Sequence, residues 1–311
     1  MKEAIVSQGD VKIIDSPIPV PQKGQVLIRV VVAGSNPKDV KSTFWLPPSN
    51  FGDDIAGYVE SVGDGVLEFR PNDRVAAFHE MFTPHGAFAE YAIAWAHTTF
   101  RLPANVSFEE AATVPLTSMT AALGLYSNLR LPLPWTTDED RPETGPLIIY
   151  GAGAAVGSFA VQFARKSESK DHVETLIDSS KGDVVIDYRL GPETVLAEIK
   201  KALGGKPLLY AFDAVADYGS DKILGAFLHP ESGRITMTLP KDGGVPEGVE
   251  AFWTAVGTVH NASRHFEGWL KPHPHEVLQG GLNGLPVGLA KLLEGKAHGV
   301  KYVYRIADTK A

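Results

Sequence analysis

The segment Gly151-Ala152-Gly153-Ala154-Ala155-Val156-Gly157 concentrates small residues where a phosphate-bearing ligand would need them. Glycine and alanine let the backbone approach phosphate oxygens. The unpaired N–H groups of a first helical turn then point at those oxygens. The chemistry implied is binding of a dinucleotide pyrophosphate. The competing reading is a tight turn in some other α/β domain. Other chemistries find less support. The chain has no cysteine, which removes disulfides, thiolate zinc sites and cysteine nucleophiles. Gly-x-Ser-x-Gly does not occur, and no Ser/His/Asp hydrolase arrangement is visible. His273 and His275 stand two apart among prolines and read as part of a docking loop rather than a metal site. His79-Glu80 with His85 also reads as a loop, and Asp39 as a cap or ion-pair residue. No metal ligand set is expected.

These residues need elements to hold them. Leu147-Ile148-Ile149-Tyr150 is an apolar, strand-like run directly before the glycine turn, and Ser158 to Ala164 reads as the helix after it. Further on, 183–188 and 208–215 read as parallel-type strands with a helix over 194–203 between them, and 233–239 as another strand. Strands alternating with helices predict a doubly wound sheet. Residues 1–100 differ. Segments 11–14, 25–32, 54–63, 74–78 and 87–93 are short strands separated by turn residues, which predicts a β-rich, partly barrel-like domain. Ser107 with Glu110 is a capping box that opens a helical stretch reaching about Tyr126. Beyond 259, 284–294 reads as a helix and 300–306 as a terminal strand that returns to the first domain.

Composition bounds the function. A chain of 311 residues with 44% hydrophobic and 21% charged residues can bury two domain cores. Its formal net charge of -8 leaves no basic excess to neutralise nucleic-acid or membrane phosphates. No apolar run approaches the ~20 residues of a membrane span. The expectation is a cytoplasmic protein with no nucleic-acid or membrane partner, present as a monomer or homodimer.

Several motifs carry a family likeness. They are Gly52-Asp53-Asp54-Ile55-Ala56-Gly57, Pro71-Asn72-Asp73-Arg74-Val75, the glycine turn, and Asp187-Tyr188-Arg189 some way beyond it. Together they resemble the medium-chain dehydrogenase/reductase superfamily. Ser35-Asn36-Pro37-Lys38-Asp39-Val40-Lys41 resembles the Asn-Pro-x-Asp-x-Lys signature of the zinc-free branch, and the wider sequence is similar to fungal trans-enoyl reductases. In zinc-dependent relatives a cysteine falls near position 36, and Gly-His-Glu stands where Gly52-Asp53-Asp54 is found here.

The resemblance implies a Rossmann domain (116–259) plus a GroES-like β-barrel lobe (1–115 with 260–311). It implies a zinc-independent, NADPH-dependent reductase that transfers hydride to an activated C=C bond of an enone or enoyl thioester. Two alternatives stay open: an NADPH quinone oxidoreductase, and a cofactor-binding but catalytically weak partner or structural protein. By the same resemblance Asn36, Lys41 and Thr117 line the nicotinamide end of the cleft, with Lys41 near the substrate carbonyl and Asn36 assisting. Lys41 could equally be a surface lysine whose stem packs on the fold. Tyr188, with Ser180 and Lys181, falls at the adenosine ribose or its 2′-phosphate. Ala214, Val215, Leu239 and Val256 follow strands that should end at the cofactor.

One expected element has no sequence to make it. An acidic residue about 20 positions beyond the first glycine often binds the ribose, and Asp171 falls there. Yet Arg165 to His172 contains no apolar residue, so no buried strand leads to it. The segment 259–266 is also short against the family. Two explanations fit: internal deletion, or loop residues omitted from the sequence as read. The hole that deletion would leave in the sheet favours the second. An intact mass of 33.4 kDa would support the first.

Overall fold

The computed structural model describes residues 1–136, 145–168, 179, 182–240, 243–261, 273–297 and 299–310. The chain divides into two compact units, Met1–Thr117 with Gly257–Ala311, and Ser118–Val256.

In chain order the first unit opens with strands β1 (Lys2–Ser7), β2 (Asp10–Asp15) and β3 (Gln25–Gly34). Helix α1 (Pro37–Lys41) and strands β4 (Asp54–Val62), β5 (Arg74–Phe78), β6 (Tyr91–Trp95) and β7 (Thr99–Arg101) follow. Helix α2 (Phe108–Ala111) leads to α3 (Pro115–Ala122), where the second unit begins. That unit holds β8 (Leu147–Tyr150), α4 (Ala155–Glu168), α5 (Pro192–Leu203), β9 (Tyr210–Asp213), α6 (Ser220–Gly225), β10 (Arg234–Met237) and β11 (Glu250–Trp253). The chain returns to the first unit with β12 (His275–Leu278), α7 (Leu285–Leu293) and β13 (Lys301–Arg305).

The first unit is built around β3. Its N-terminal half pairs antiparallel with β6, its C-terminal half with β13, and its other edge with β4. One strand with three partners must curl, and register shifts at Leu27/Ile28 and Val30/Val32 supply the bends. The order β12-β13-β3-β4-β5-β7, with β6 on β3, is the barrel-like lobe. Val26, Ile28, Ile55, Val75, Phe88 and Tyr304 fill its core. The terminal strand β13 closes against β3, far from it in sequence. The segment read as a strand over 87–93 pairs later, from Tyr91, because Phe88 and Ala89 bond to β1 instead.

The second unit carries a parallel sheet in the order β11-β10-β9-β8. Leu208, Ala211, Leu224, Ile235 and Met237 are its apolar core. Helix α3 runs on into a π-helical turn over Leu123–Asn128. There Gly124 lies against the Phe212 ring so closely that a Cβ would collide with it.

The strand expected over 183–188 is corrected: the structure has none there. Val184 and Val185 are 58% and 72% exposed, and Tyr188–Leu190 makes one tight 3-10 turn. A strand needs a hydrogen-bonding neighbour. In a doubly wound sheet that neighbour follows the first helix, where this sequence is charged. Asp171 lies outside the described residues.

Candidate active site

The parallel strands all end on one edge of their sheet, and the Gly151–Gly157 turn sits there. Tyr150 closes β8, and Gly151 takes φ +77, a backbone that glycine adopts without strain. A Cβ on Gly151 would strike the Val215 side chain. A Cβ on Gly157 would strike the Gly151 carbonyl, so the start of α4 packs directly onto the turn. Gly153 differs: no heavy atom would meet a Cβ there, and both it and Ala152 are exposed. The turn is locked by Ala154 N–H to Gly151 O and Ser158 N–H to Ala154 O, each 2.8 Å. Ala154, Ala155 and Val156 are half-buried along the first helical turn. Two glycines therefore serve packing, and the third leaves open backbone for a ligand. This small-residue cradle fits a pyrophosphate.

The neighbouring strand ends converge on the same edge. Ala214 N–H bonds Tyr150 O at 3.0 Å, and Val215 packs on Gly151. Leu239 follows β10 and is part-exposed; Val256 follows β11 and is half-buried. Tyr188 is 65% exposed and lies near enough to Tyr150 to help raise its hydroxyl pKa, after burial and Asp213. Ser180 and Lys181 fall outside the described residues.

Sequence reading missed Asp213, the last residue of β9. Its buried carboxylate accepts from Val215 N–H at 3.1 Å, Ala216 N–H at 2.7 Å and Ser220 Oγ at 2.5 Å. Burial raises its pKa, and the Ser220 and backbone donors pull back. It holds a loop in which Ala216 and Tyr218 take φ of 50 and 54. A buried acid at a strand end before a Ser was the available signal.

The first unit gathers a second polar group. Asn36 precedes α1 and is buried. Its Nδ2 donates to Asp54 Oδ2 at 2.7 Å, and its backbone N–H donates to Asp39 Oδ2 at 2.7 Å. Asp54 also receives Lys301 Nζ at 2.5 Å and the Leu116 N–H at 2.7 Å. Lys38 Nζ pairs with Asp53 and lies 2.9 Å from Asp39 Oδ1; it also donates to Phe51 O at 2.7 Å. Burial lifts the Asp39 carboxyl to about 7 and Asp53 to about 6. Burial alone would lower Lys38, but the two carboxylates outweigh it and hold the ammonium above its usual range. Asp39 is thus an ion-pair residue. The sequence marked Lys38, Asp53 and Asp54 only as parts of family motifs and did not single out Lys301, because the Asp54–Lys301 pairing spans distant parts of the chain.

Thr117 is buried and donates to Thr113 O at 2.7 Å. Lys41 ends α1 with its side chain exposed. His273 is buried with its N–H on Thr113 Oγ1, and burial and Lys301 lower its pKa to about 4. Among the described residues no group of three or more His, Cys, Asp or Glu could hold a metal. His79 is buried with Nδ1 2.7 Å from Ile93 O. It borders a cavity of about 260 Å³ with Glu80, Thr83, His85 and Trp95.

Comparisons with known proteins bear on these features. The Alcohol dehydrogenase GroES-like domain family matches residues 22–104. The chain is 44% identical to trans-enoyl reductase fsr4 of Gibberella fujikuroi, over 91% of this chain and 92% of that protein. It is 32% identical to trans-enoyl reductase resD of Aspergillus sclerotiorum, over 94% and 96%. The resD alignment runs to 348 positions against a chain of 311 residues, so that relative carries internal residues this chain lacks. Among solved structures, CurK enoyl reductase superposes with a TM-score of 0.72 at 19% identity, covering 97% of this chain and 98% of that one. A mycobacterial protein complexed with NADPH superposes with a TM-score of 0.67 at 20% identity, covering 97% and 99%. The fold is that of a Rossmann domain with a GroES-like lobe.

Proposed function

Since the chain belongs to the trans-enoyl reductase group of the medium-chain dehydrogenase/reductases, and is an oxidoreductase of the enoyl reductase type, we propose that it reduces an enone or enoyl thioester with NADPH and without zinc. The observation that carries this reading is the cradle at the start of α4, with Gly153 open and Gly157 packed on Gly151. The nicotinamide cofactor supplies the hydride that goes to the β carbon. The chain supplies position and charge. The Gly151–Gly157 turn and the N–H groups of α4 hold the pyrophosphate. Ala214, Val215, Leu239 and Val256 form apolar walls at the strand ends. With the cofactor bound, Asn36 and Thr117 would line its nicotinamide end, and Lys41 would stabilise the carbonyl oxygen as negative charge develops on it. A proton from water completes the α carbon.

NADPH over NADH is supported by the NADPH-complexed neighbour and by Arg189 beside Tyr188. The Arg189 guanidinium is exposed and pairs with Asp187 at 2.6 Å. An arginine there suits a 2′-phosphate. Zinc independence is supported by the charge partners. A zinc site needs nitrogen, thiolate or carboxylate ligands with their lone pairs available. Here the positions aligned with metal ligands are Asn36 and the Asp53-Asp54 pair, and the Lys38 and Lys301 ammonium groups sit on those carboxylates. These residues do not fit a zinc ion.

A substrate panel of enoyl thioesters, enones and quinones, following NADPH oxidation, tests the reading. Turnover confined to quinones would replace it with quinone reduction. Tight NADPH binding without any turnover would favour the non-catalytic alternative.

A further inference from the structure

In the first unit Asp39, Asp53 and Asp54 are buried around two ammonium groups, Lys301 buried and Lys38 part-exposed. Asp54 and Lys301 match one to one, and Asn36 Nδ2 and Leu116 N–H occupy the remaining Asp54 lone pairs. That leaves Lys38 alone between Asp39 and Asp53, which are 0% and 1% exposed. One cation cannot balance two anions sealed from water, and a proton carried by either carboxyl removes the excess charge. The geometry also shows the shortfall. Among the described residues no hydrogen-bond donor reaches Asp53 Oδ1.

This cluster is also the anchor of α1. Asp39 Oδ2 holds the Asn36 N–H, and Lys38 ties the helix to Phe51 O. Asn36 and Lys41 sit at the two ends of the same short helix. We propose that Asp39, Lys38 and Asp53 form a one-proton positioning unit. A single proton on one carboxyl of the pair keeps the cluster neutral, and loss of that proton loosens α1 and displaces Asn36 and Lys41. The functional half of this statement rests on the roles given to Asn36 and Lys41 above.

The surrounding groups do not compensate. Asp54 is matched by Lys301. From β13, Tyr304 faces Asp39; burial raises its pKa, so the hydroxyl stays protonated. Glu276 on β12 adds only a weak repulsion to that tyrosine. His79, after β5, is driven toward its neutral form by burial, and the Lys38 charge adds to this. Among the described residues, beyond Lys38, Asp39 has only the Asn36 N–H to relieve it, and Asp53 has only the charge of Lys301, which is already engaged by Asp54 and offset by that carboxylate's own charge.

The test uses the full chain between about pH 5.5 and 8.5. Infrared difference spectra read the protonated-carboxyl C=O stretch. Hydrogen exchange, corrected for the intrinsic pH effect, reads the amides of α1, and a titration reads NADPH affinity. In wild type the carboxyl band should vanish as pH rises through neutrality. Over the same range α1 protection and NADPH affinity should each fall about tenfold. Asp53→Asn removes the excess charge and keeps the shape, so it should lack the band and give flat profiles. Absence of the band at low pH in wild type overturns the proposal without any variant. So does an Asp53→Asn protein that keeps the wild-type exchange profile. If band and exchange behave as stated but NADPH does not bind, the positioning unit stands and the enoyl reductase reading falls.

Discussion

One methyl group separates two roles at the phosphate turn. A Cβ on Gly157 would collide with the Gly151 carbonyl, whereas one on Gly153 would meet nothing. Gly157→Ala should therefore destabilise the chain by roughly 1–3 kcal/mol, the usual cost of overpacking. Gly153→Ala should leave urea unfolding nearly unchanged and weaken NADPH binding about tenfold. Equal stability losses in both variants would contradict this division. Lys301 makes the complementary case. Its side chain is 3% exposed and its ammonium lies on Asp54. Lys301→Met leaves a buried carboxylate without its cation and should cost roughly 3–5 kcal/mol in denaturant unfolding. A loss below about 1 kcal/mol would mean the pair behaves as a surface ion pair.

At the scale of elements, local signals worked where the partner was local. Ser107 and Glu110 were legible as a capping box, and the structure makes both halves of it: Glu110 N–H to Ser107 Oγ at 3.2 Å and Ser107 N–H to Glu110 Oε2 at 2.8 Å. Ser107→Ala should cost about 1 kcal/mol in thermal or urea unfolding, and an unchanged midpoint would show that the short α2 is held by packing instead. Apolar runs bounded by turn residues likewise located β3, β4 and β5 closely, strands that are buried over most of their length. The segment 183–188 failed for a non-local reason. Its valines and isoleucine have strand character, but a strand exists only beside a neighbour. Relatives carry internal residues that this chain lacks, and Arg165 to His172 contains no apolar residue from which to build that neighbour. The glycine turn was readable as a phosphate site; the separate tasks of its three glycines were not, since they depend on where Val215 and the Gly151 carbonyl lie.

For the whole molecule, pH and metal dependence follow from the buried charges. Asp39 and Asp53 have folded pKa values of about 7 and about 6, above the unfolded value of about 3.9. The folded chain binds the extra protons, so their contribution is fully present below about pH 4 and is lost as pH rises through about 6 to 7. His260 and His273 are lowered by burial to about 4. Their contribution is present above about pH 6.5 and is lost as pH falls through about 4. The two effects oppose each other between about pH 4 and 7, and neither changes much further above that range. Thermal unfolding should thus vary by no more than a few degrees from about pH 5 to 8; a steep fall confined to the range above about pH 7 would contradict the assignment. Exhaustive chelation should leave NADPH-dependent turnover unchanged, and stoichiometric zinc in an active preparation would overturn the zinc-free reading. The sequence by itself determined the small-residue turn between β8 and α4, the switch from strand-rich to alternating strand and helix, and the lack of thiolate ligands, because each is written in neighbouring residues or in composition. Only the tertiary structure decided which charges are dried together. Asp54 and Lys301 lie 247 residues apart, and no spacing along a chain says which distant side chains folding will seal from water in one site.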